Sequence, residues 1–254
     1  MQLTLRNPMF KSFDKSDSYY GNEAACTLPG IFGKTLLLVL VTVLGAVAAI
    51  AFLFRLTDEN IGTFLVLLFV SMITAFVSGL IARFSFTLCP VFSFIYCAAE
   101  GFLLGVISLI VDLYYGGVAI TALIATIVVT ITLGILYFTG IVKVGKKLKA
   151  FVITCLIGMI VLALVNIILN AAGFTGAGEV IYGSTPLGWA VSIIAVLFAC
   201  ALLLFDFDYC ADCVDRELDK KYEWRAAFIL TVGIIYLYLK ILEILIKIAA
   251  ASKK

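Results

Sequence analysis

The amino-acid sequence predicts an all-α membrane protein, a bundle of seven transmembrane helices. Three observations carry that expectation. Of the 254 residues 64% are hydrophobic and only 13% charged, against about 25% charged in ordinary soluble domains. Mean hydropathy is +1.19, a surplus of apolar surface beyond what one globular core can bury, so lipid must be the second solvent. The apolar residues also gather into seven runs. At about 1.5 Å per residue, each can cross roughly 30 Å of hydrocarbon.

Those runs are residues 34–54, 61–82, 91–111, 118–139, 150–170, 187–205 and 226–248. A tail of residues 1–33 precedes them and residues 249–254 follow. The tail holds Arg6, Lys11, Asp14, Lys15, Asp17 and Glu23 and no apolar core, so no secretory signal is read there and the first span is expected to stay as an anchor. The connections are short. Leu56-Thr-Asp-Glu-Asn60 caps the second run, and Tyr114-Tyr-Gly-Gly117 makes a tight turn. Residues 173–186 form the longest link after the tail, glycine-rich and bearing one acid, Glu179.

Charge sets the expected orientation. One side collects thirteen basic residues, including Arg83, the lysines at 143, 146, 147 and 149, and Arg225; the other collects five. The positive-inside rule then places the N-terminus in the cytoplasm and, after seven spans, the C-terminus outside. The net charge of +2 points to neither nucleic acid nor a strongly acidic partner.

Small residues mark packing. Gly101 and Gly105 form a GxxxG pair on the third run, which lets another helix approach closely. Ser71, Thr74 and Ser78 share a face of the second run, and Asn166 and Asn170 a face of the fifth, as interhelical glue or as a pore lining. Of seven cysteines, four (Cys89, Cys97, Cys155, Cys200) lie in or beside apolar runs, where thiols act as small hydrophobes. The lone CxxC at Cys210 and Cys213 has no second CxxC and no histidine to complete a zinc site.

Three carboxylates, Glu100, Asp206 and Asp208, are candidates for an ion path or its gating, with Arg83 as their cation. Glu100 sits near the middle of the third run, where an ionised acid costs on the order of 3 kcal/mol to insert, so it should face the bundle interior. It reads either as a neutral acid hydrogen-bonded across helices or as part of an ion path. Asp206 ends the sixth run among Leu203, Phe205 and Phe207. Its natural counter-charge is Arg83, at the matching end of the second run. Asp208, Asp212, Asp215 and Asp219 follow at helical spacing as a solvated stripe. Lys240 and Glu243 are expected to neutralise each other near the far end of the last span. With no histidine in the chain, a Ser/His/Asp triad is excluded. HExxH, Walker A and Rossmann fingerprints are also missing, so no enzyme and no cofactor are expected.

Four segments resemble the Bax inhibitor-1 (transmembrane BAX inhibitor motif) family, and most nearly its bacterial YccA-like branch. They are Glu100-Gly-Phe-Leu-Leu-Gly-Val-Ile-Ser-Leu109 with residues 120–126, Tyr137-Phe-Thr-Gly-Ile-Val-Lys-Val144, Leu204-Phe-Asp-Phe-Asp208, and residues 222–228 leading into 236–242. The resemblance implies six spans around a central seventh, with the sixth and seventh lining the middle and Gly233 suiting close packing. It implies a calcium or other cation leak with acidic residues at its mouth, or, as the alternative, a non-conducting helper that binds other membrane proteins, such as a protease modulator. It implies a bacterial cytoplasmic membrane, or the endoplasmic reticulum if the source is eukaryotic. In the pH-sensing members a sixth-span carboxylate shares a proton with a seventh-span one, and a second-span arginine latches onto the pair. Asp206 matches the first acid and Arg83 the latch by position. Gly233 stands where the second acid should be. The pair is therefore incomplete, and the like-charge repulsion on which such pH gating depends is absent.

Overall fold

The computed structural model describes residues 25–55, 61–171 and 185–252. Within them, seven helices are long and apolar enough to cross a membrane. These are α1 (Leu28–Leu53), α2 (Ile61–Phe84), α3 (Cys89–Tyr114), α4 (Val118–Phe138), α5 (Lys146–Ala171), α6 (Pro186–Asp215) and α7 (Lys221–Ser252). The 56–60 cap, most of the 173–186 link with Glu179, the side chain of Asn170, and Lys253 and Lys254 lie outside the described residues.

Helix ends follow local chemistry. Thr27 caps α1 by accepting a bond from the Gly30 N–H at 3.2 Å, with Pro29 in the first turn where a missing N–H costs nothing. Thr185 and Pro186 repeat the device on α6, with a 3.0 Å bond from the Gly188 N–H. The Tyr114–Gly117 turn closes with Gly117 at φ 83°, a left-handed conformation that favours glycine. Several helices outrun the apolar runs in the sequence. α1 starts six residues before Lys34, because Thr27 and Pro29 supply a start signal that hydropathy does not register. α6 runs on to Asp215, past the apolar limit at Phe205, since a helix needs no lipid to continue into water once its backbone is paired.

The seventh helix is the central one. α7 packs against α1, α2, α3, α4 and α6, and α5 alone does not touch it. Accordingly its buried residues, among them Ala227, Phe228, Leu230, Thr231, Ile235, Leu237 and Leu242, point to every side. α5 touches only α6, and none of its apolar window is buried in the protein.

The closest helix pair is α1 with α3, which are not consecutive in sequence. A Cβ at Gly101 would overlap the Thr42 carbonyl oxygen and sit 2.9 Å from the Thr42 Cα; one at Gly105 would overlap the Ala46 carbonyl and sit 2.7 Å from the Ala46 Cα. Gly45 on α1 answers from the other side, where a Cβ would come 2.6 Å from the Ala98 carbonyl oxygen. In lipid there is no hydrophobic gain in bringing apolar helices together, so such backbone-to-backbone packing supplies the attraction. On α2, Ser71 and Ser78 are buried, and the Ser78 hydroxyl donates to the Thr74 carbonyl oxygen at 2.5 Å.

Candidate functional site

Asp206 and Gly233 face each other across the seam of α6 and α7. A Cβ at position 233 would collide with Asp206 Oδ2, and would lie 3.3 Å from its Cγ and 3.4 Å from Leu203 Cδ1. The carboxylate thus occupies the space that a side chain at 233 would fill. It is half-buried, and no hydrogen bond or ion pair to it is present among the described residues. Arg83, exposed in the last turn of α2, lies near enough for its charge to act on Asp206, but the two are not in ion-pair contact.

Glu100 lies on a different seam. Along one stripe of α3, Tyr96 packs edge-on against Phe228 with ring centroids 5.2 Å apart, and Ser108 shares a 2.6 Å hydrogen bond with the Tyr238 hydroxyl. Glu100 falls between these contacts on the same stripe. On α7 Phe228 and Tyr238 each stand about 140° around the axis from Gly233. Glu100 and Asp206 therefore approach α7 at similar depth from opposite sides, with the central helix between them. Glu100 is half-buried and, like Asp206, makes no hydrogen bond among the described residues.

Asp208, Asp212 and Asp219 each have a partner. Asp208 accepts a 3.0 Å bond from the Tyr137 hydroxyl of α4, which ties α6 to α4. Asp212 pairs with Arg216 at 2.8 Å and Asp219 with Lys221 at 2.8 Å. The stripe expected from Asp208 to Asp219 stops at Asp215, where α6 ends; Asp219 lies in the link and bridges to Ala25 instead. Lys240 and Glu243 form the expected pair at 2.9 Å. Among the described residues no three cysteine or acidic side chains are arranged to hold a metal ion.

Two buried charges, Glu223 and Lys247, were not singled out in the sequence. Glu223, 1% exposed at the start of α7, closes a clasp on the start of α1. Its carboxylate accepts from the Thr27 N–H and the Thr27 hydroxyl, both at 3.0 Å, and pairs with Lys34. Lys34 also stands 5.1 Å over the Trp224 ring. Gly30 is required here, since a Cβ would run into the Glu223 carboxylate. Beside the clasp the Cys26 N–H donates to the Leu218 carbonyl oxygen at 2.7 Å. Burial first, and then the Glu223 carboxylate, push the Cys26 thiol up to about 11, with Lys34 opposing. All seven cysteines are free. The signal that could have exposed the clasp was an acid one turn before the last apolar run, on the same side as the Thr27-Leu-Pro29 helix start.

A family model described as Bax inhibitor 1 like matches residues 7–250 of the chain. Neither a curated protein nor a solved structure matches it.

Proposed function

The chain belongs to the Bax inhibitor-1 family, and we propose that it lets small cations, calcium foremost, leak down their gradient through the helix bundle without catalysing a reaction. The observation that carries this reading is Asp206, an acid pressed against Gly233 of the central helix with no hydrogen bond or ion pair among the described residues. A carboxylate in a membrane helix is costly unless it meets water, a counter-charge or a passing ion. A single acid also binds weakly, and conduction needs an ion that can leave as readily as it arrives. The path favoured here runs on the α6 side of α7, with Arg83 as the nearby cation that competes for Asp206. The membrane we assign is the bacterial cytoplasmic one, with the basic, N-terminal side inside.

The test is calcium flux into liposomes holding the purified protein, at two pH values. Wild type should exceed protein-free liposomes, and Asp206→Asn should lose most of that excess. Wild-type flux equal to that of empty liposomes would overturn the leak reading.

One observation favours a second reading, a helper that binds another membrane protein in the YccA manner. Helix α5 packs only on α6 and buries none of its apolar window, which leaves it free to meet a partner. That reading predicts no flux, and cross-linking to one defined membrane protein from a photoreactive residue at Leu156.

A further inference from the structure

The backbones of α1 and α4 do not approach each other, although both pack on α7. Between them lies a cleft of about 480 Å³, within the range of about 300–1,000 Å³ typical of pockets that take small organic ligands. Its walls include Leu36 and Val39 of α1 and Ile131 and Ile135 of α4, and its floor is Phe207 of α6 with Ile234 of α7. The lining is apolar apart from Thr130 and Thr35, the latter with its hydroxyl turned back onto the Ile31 carbonyl oxygen. Such a gap in a membrane helix bundle is filled, because an empty one forfeits the dispersion contacts of its walls.

The chemistry at one end identifies the occupant. Phe32 and Phe138 meet edge to face, ring centroids 5.7 Å apart, at the end of the cleft on the N-terminal side. Phe138 is the last residue of α4 and Phe32 lies in the second turn of α1, so this pair sits at the level where aromatic side chains mark the membrane interface. The chain turns back there, with the Val142 N–H bonded to the Leu136 carbonyl oxygen at 3.0 Å. It then presents Lys143, Lys146, Lys147 and Lys149, all exposed. No described carboxylate is in ion-pair contact with any of the four. An apolar slot at whose end the chain leaves α4 and runs into four unpaired ammonium groups suits a molecule with a long hydrocarbon tail and an anionic head.

We propose that this cleft holds an acyl chain of an anionic phospholipid from the leaflet on the N-terminal side, with its phosphate headgroup held by the lysines that follow α4. The slot alone cannot select a lipid, since bulk lipid is as apolar as its walls. Selection comes from the headgroup, at roughly fivefold for each lysine that engages. The floor residues Phe207 and Ile234 are the chain neighbours of Asp206 and Gly233, so the bound chain lies on an adjacent face of the same two helices.

The experiment is native mass spectrometry of the purified full chain in detergent, with phosphatidylglycerol or phosphatidylcholine of identical acyl chains added. Lipid retention is read without any flux, so its outcome is independent of the leak reading. Wild type should retain phosphatidylglycerol at least about fivefold better than phosphatidylcholine. Ile131→Trp, which fills the cleft from an exposed position, should lower retention of both lipids. The triple substitution Lys143→Gln, Lys146→Gln, Lys147→Gln lies outside the helix packing and should cut the preference to no more than what Lys149 supplies, while leaving phosphatidylcholine retention as it was. Equal retention of the two lipids by wild type would overturn the proposal. So would wild-type retention by Ile131→Trp, or an undiminished preference in the lysine variant.

Discussion

Asp206 and Gly233 are mutually exclusive occupants of one space: the carboxylate of the first stands where the side chain of the second would be. A residue larger than glycine at 233 can be accommodated only if Asp206 swings away. Gly233→Ala should therefore displace the carboxylate at a cost of about 1 kcal/mol or less, since no hydrogen bond or ion pair among the described residues holds it in place. The loss is measured as a lower melting temperature in detergent, together with reduced flux in liposomes. Unchanged melting and unchanged flux would show that the seam relaxes freely. For the same reason Gly233→Asp, which restores the second acid of the pH-sensing relatives, should place its carboxylate beside Asp206 only after Asp206 changes rotamer.

The α1–α3 contact makes a sharper steric test. Gly101→Leu and Gly105→Leu should each force the helices apart and destabilise the protein by at least about 1–3 kcal/mol. Gly33→Leu supplies the control, because a Cβ there meets nothing within 4 Å. The two disruptive substitutions share a partner helix, so their combined effect should fall short of the sum. Equal melting for all three variants would remove the close-packing argument.

The Glu223 clasp predicts an asymmetry. Lys34→Ala leaves a carboxylate buried without its cation and should cost about 3–5 kcal/mol. Pairing Lys34→Met with Glu223→Gln removes both charges and should cost clearly less than that single change. A double-mutant melt in detergent decides it, and a double variant as unstable as Lys34→Ala would mean that the charges themselves are not what stabilises the clasp.

For Glu100 the bundle geometry sets the expectation. Glu100→Gln should stay within about 1 kcal/mol of wild type, since no hydrogen bond is lost. Its effect on flux should be smaller than that of Asp206→Asn, because α7 lies between the two acids. Glu100→Lys should impair insertion or folding, as it puts an ammonium group on the α3–α7 seam. Parallel flux measurements on the Gln and Asn variants would reveal a shared path if the losses match.

Cys26 should resist alkylation. The thiolate is the nucleophile, and with a thiol pushed up to about 11 almost none is present near pH 8. Maleimide labelling of a variant with Cys26 as its only cysteine should be slow there and speed up about tenfold per pH unit until the thiol titrates. Rapid labelling at pH 7 would show that the 25–27 segment leaves its place.

Much of the fold was legible because lipid simplifies the code. Every span must be an apolar helix, so hydropathy alone places all seven, and the GxxxG spacing at Gly101 and Gly105 locates the tightest contact. Its partner was not legible: nothing in Thr42 or Ala46 announces an exposed carbonyl, and the answering Gly45 is a lone glycine. Lys240 and Glu243 were found because both lie on one helix turn. Glu223 and Lys34 were missed because their relation spans 189 residues, and no local pattern joins them. Asp206 was visible as the acid that ends an apolar run. That it rests on Gly233 followed from resemblance, whereas the separation from Glu100 needed the three-dimensional position of α7.

The clasp also dates the protein's assembly. Thr27 and Glu223 are 196 residues apart, so a ribosome working at about 5–20 residues per second needs roughly 10–40 s to make the second after the first. For most of that interval α1 has been made, with Lys34 near its head lacking the acid that will neutralise it. The first helix of the bundle is thus finished by the last, and a chain truncated before α7 would display an unclosed, basic N-terminal end.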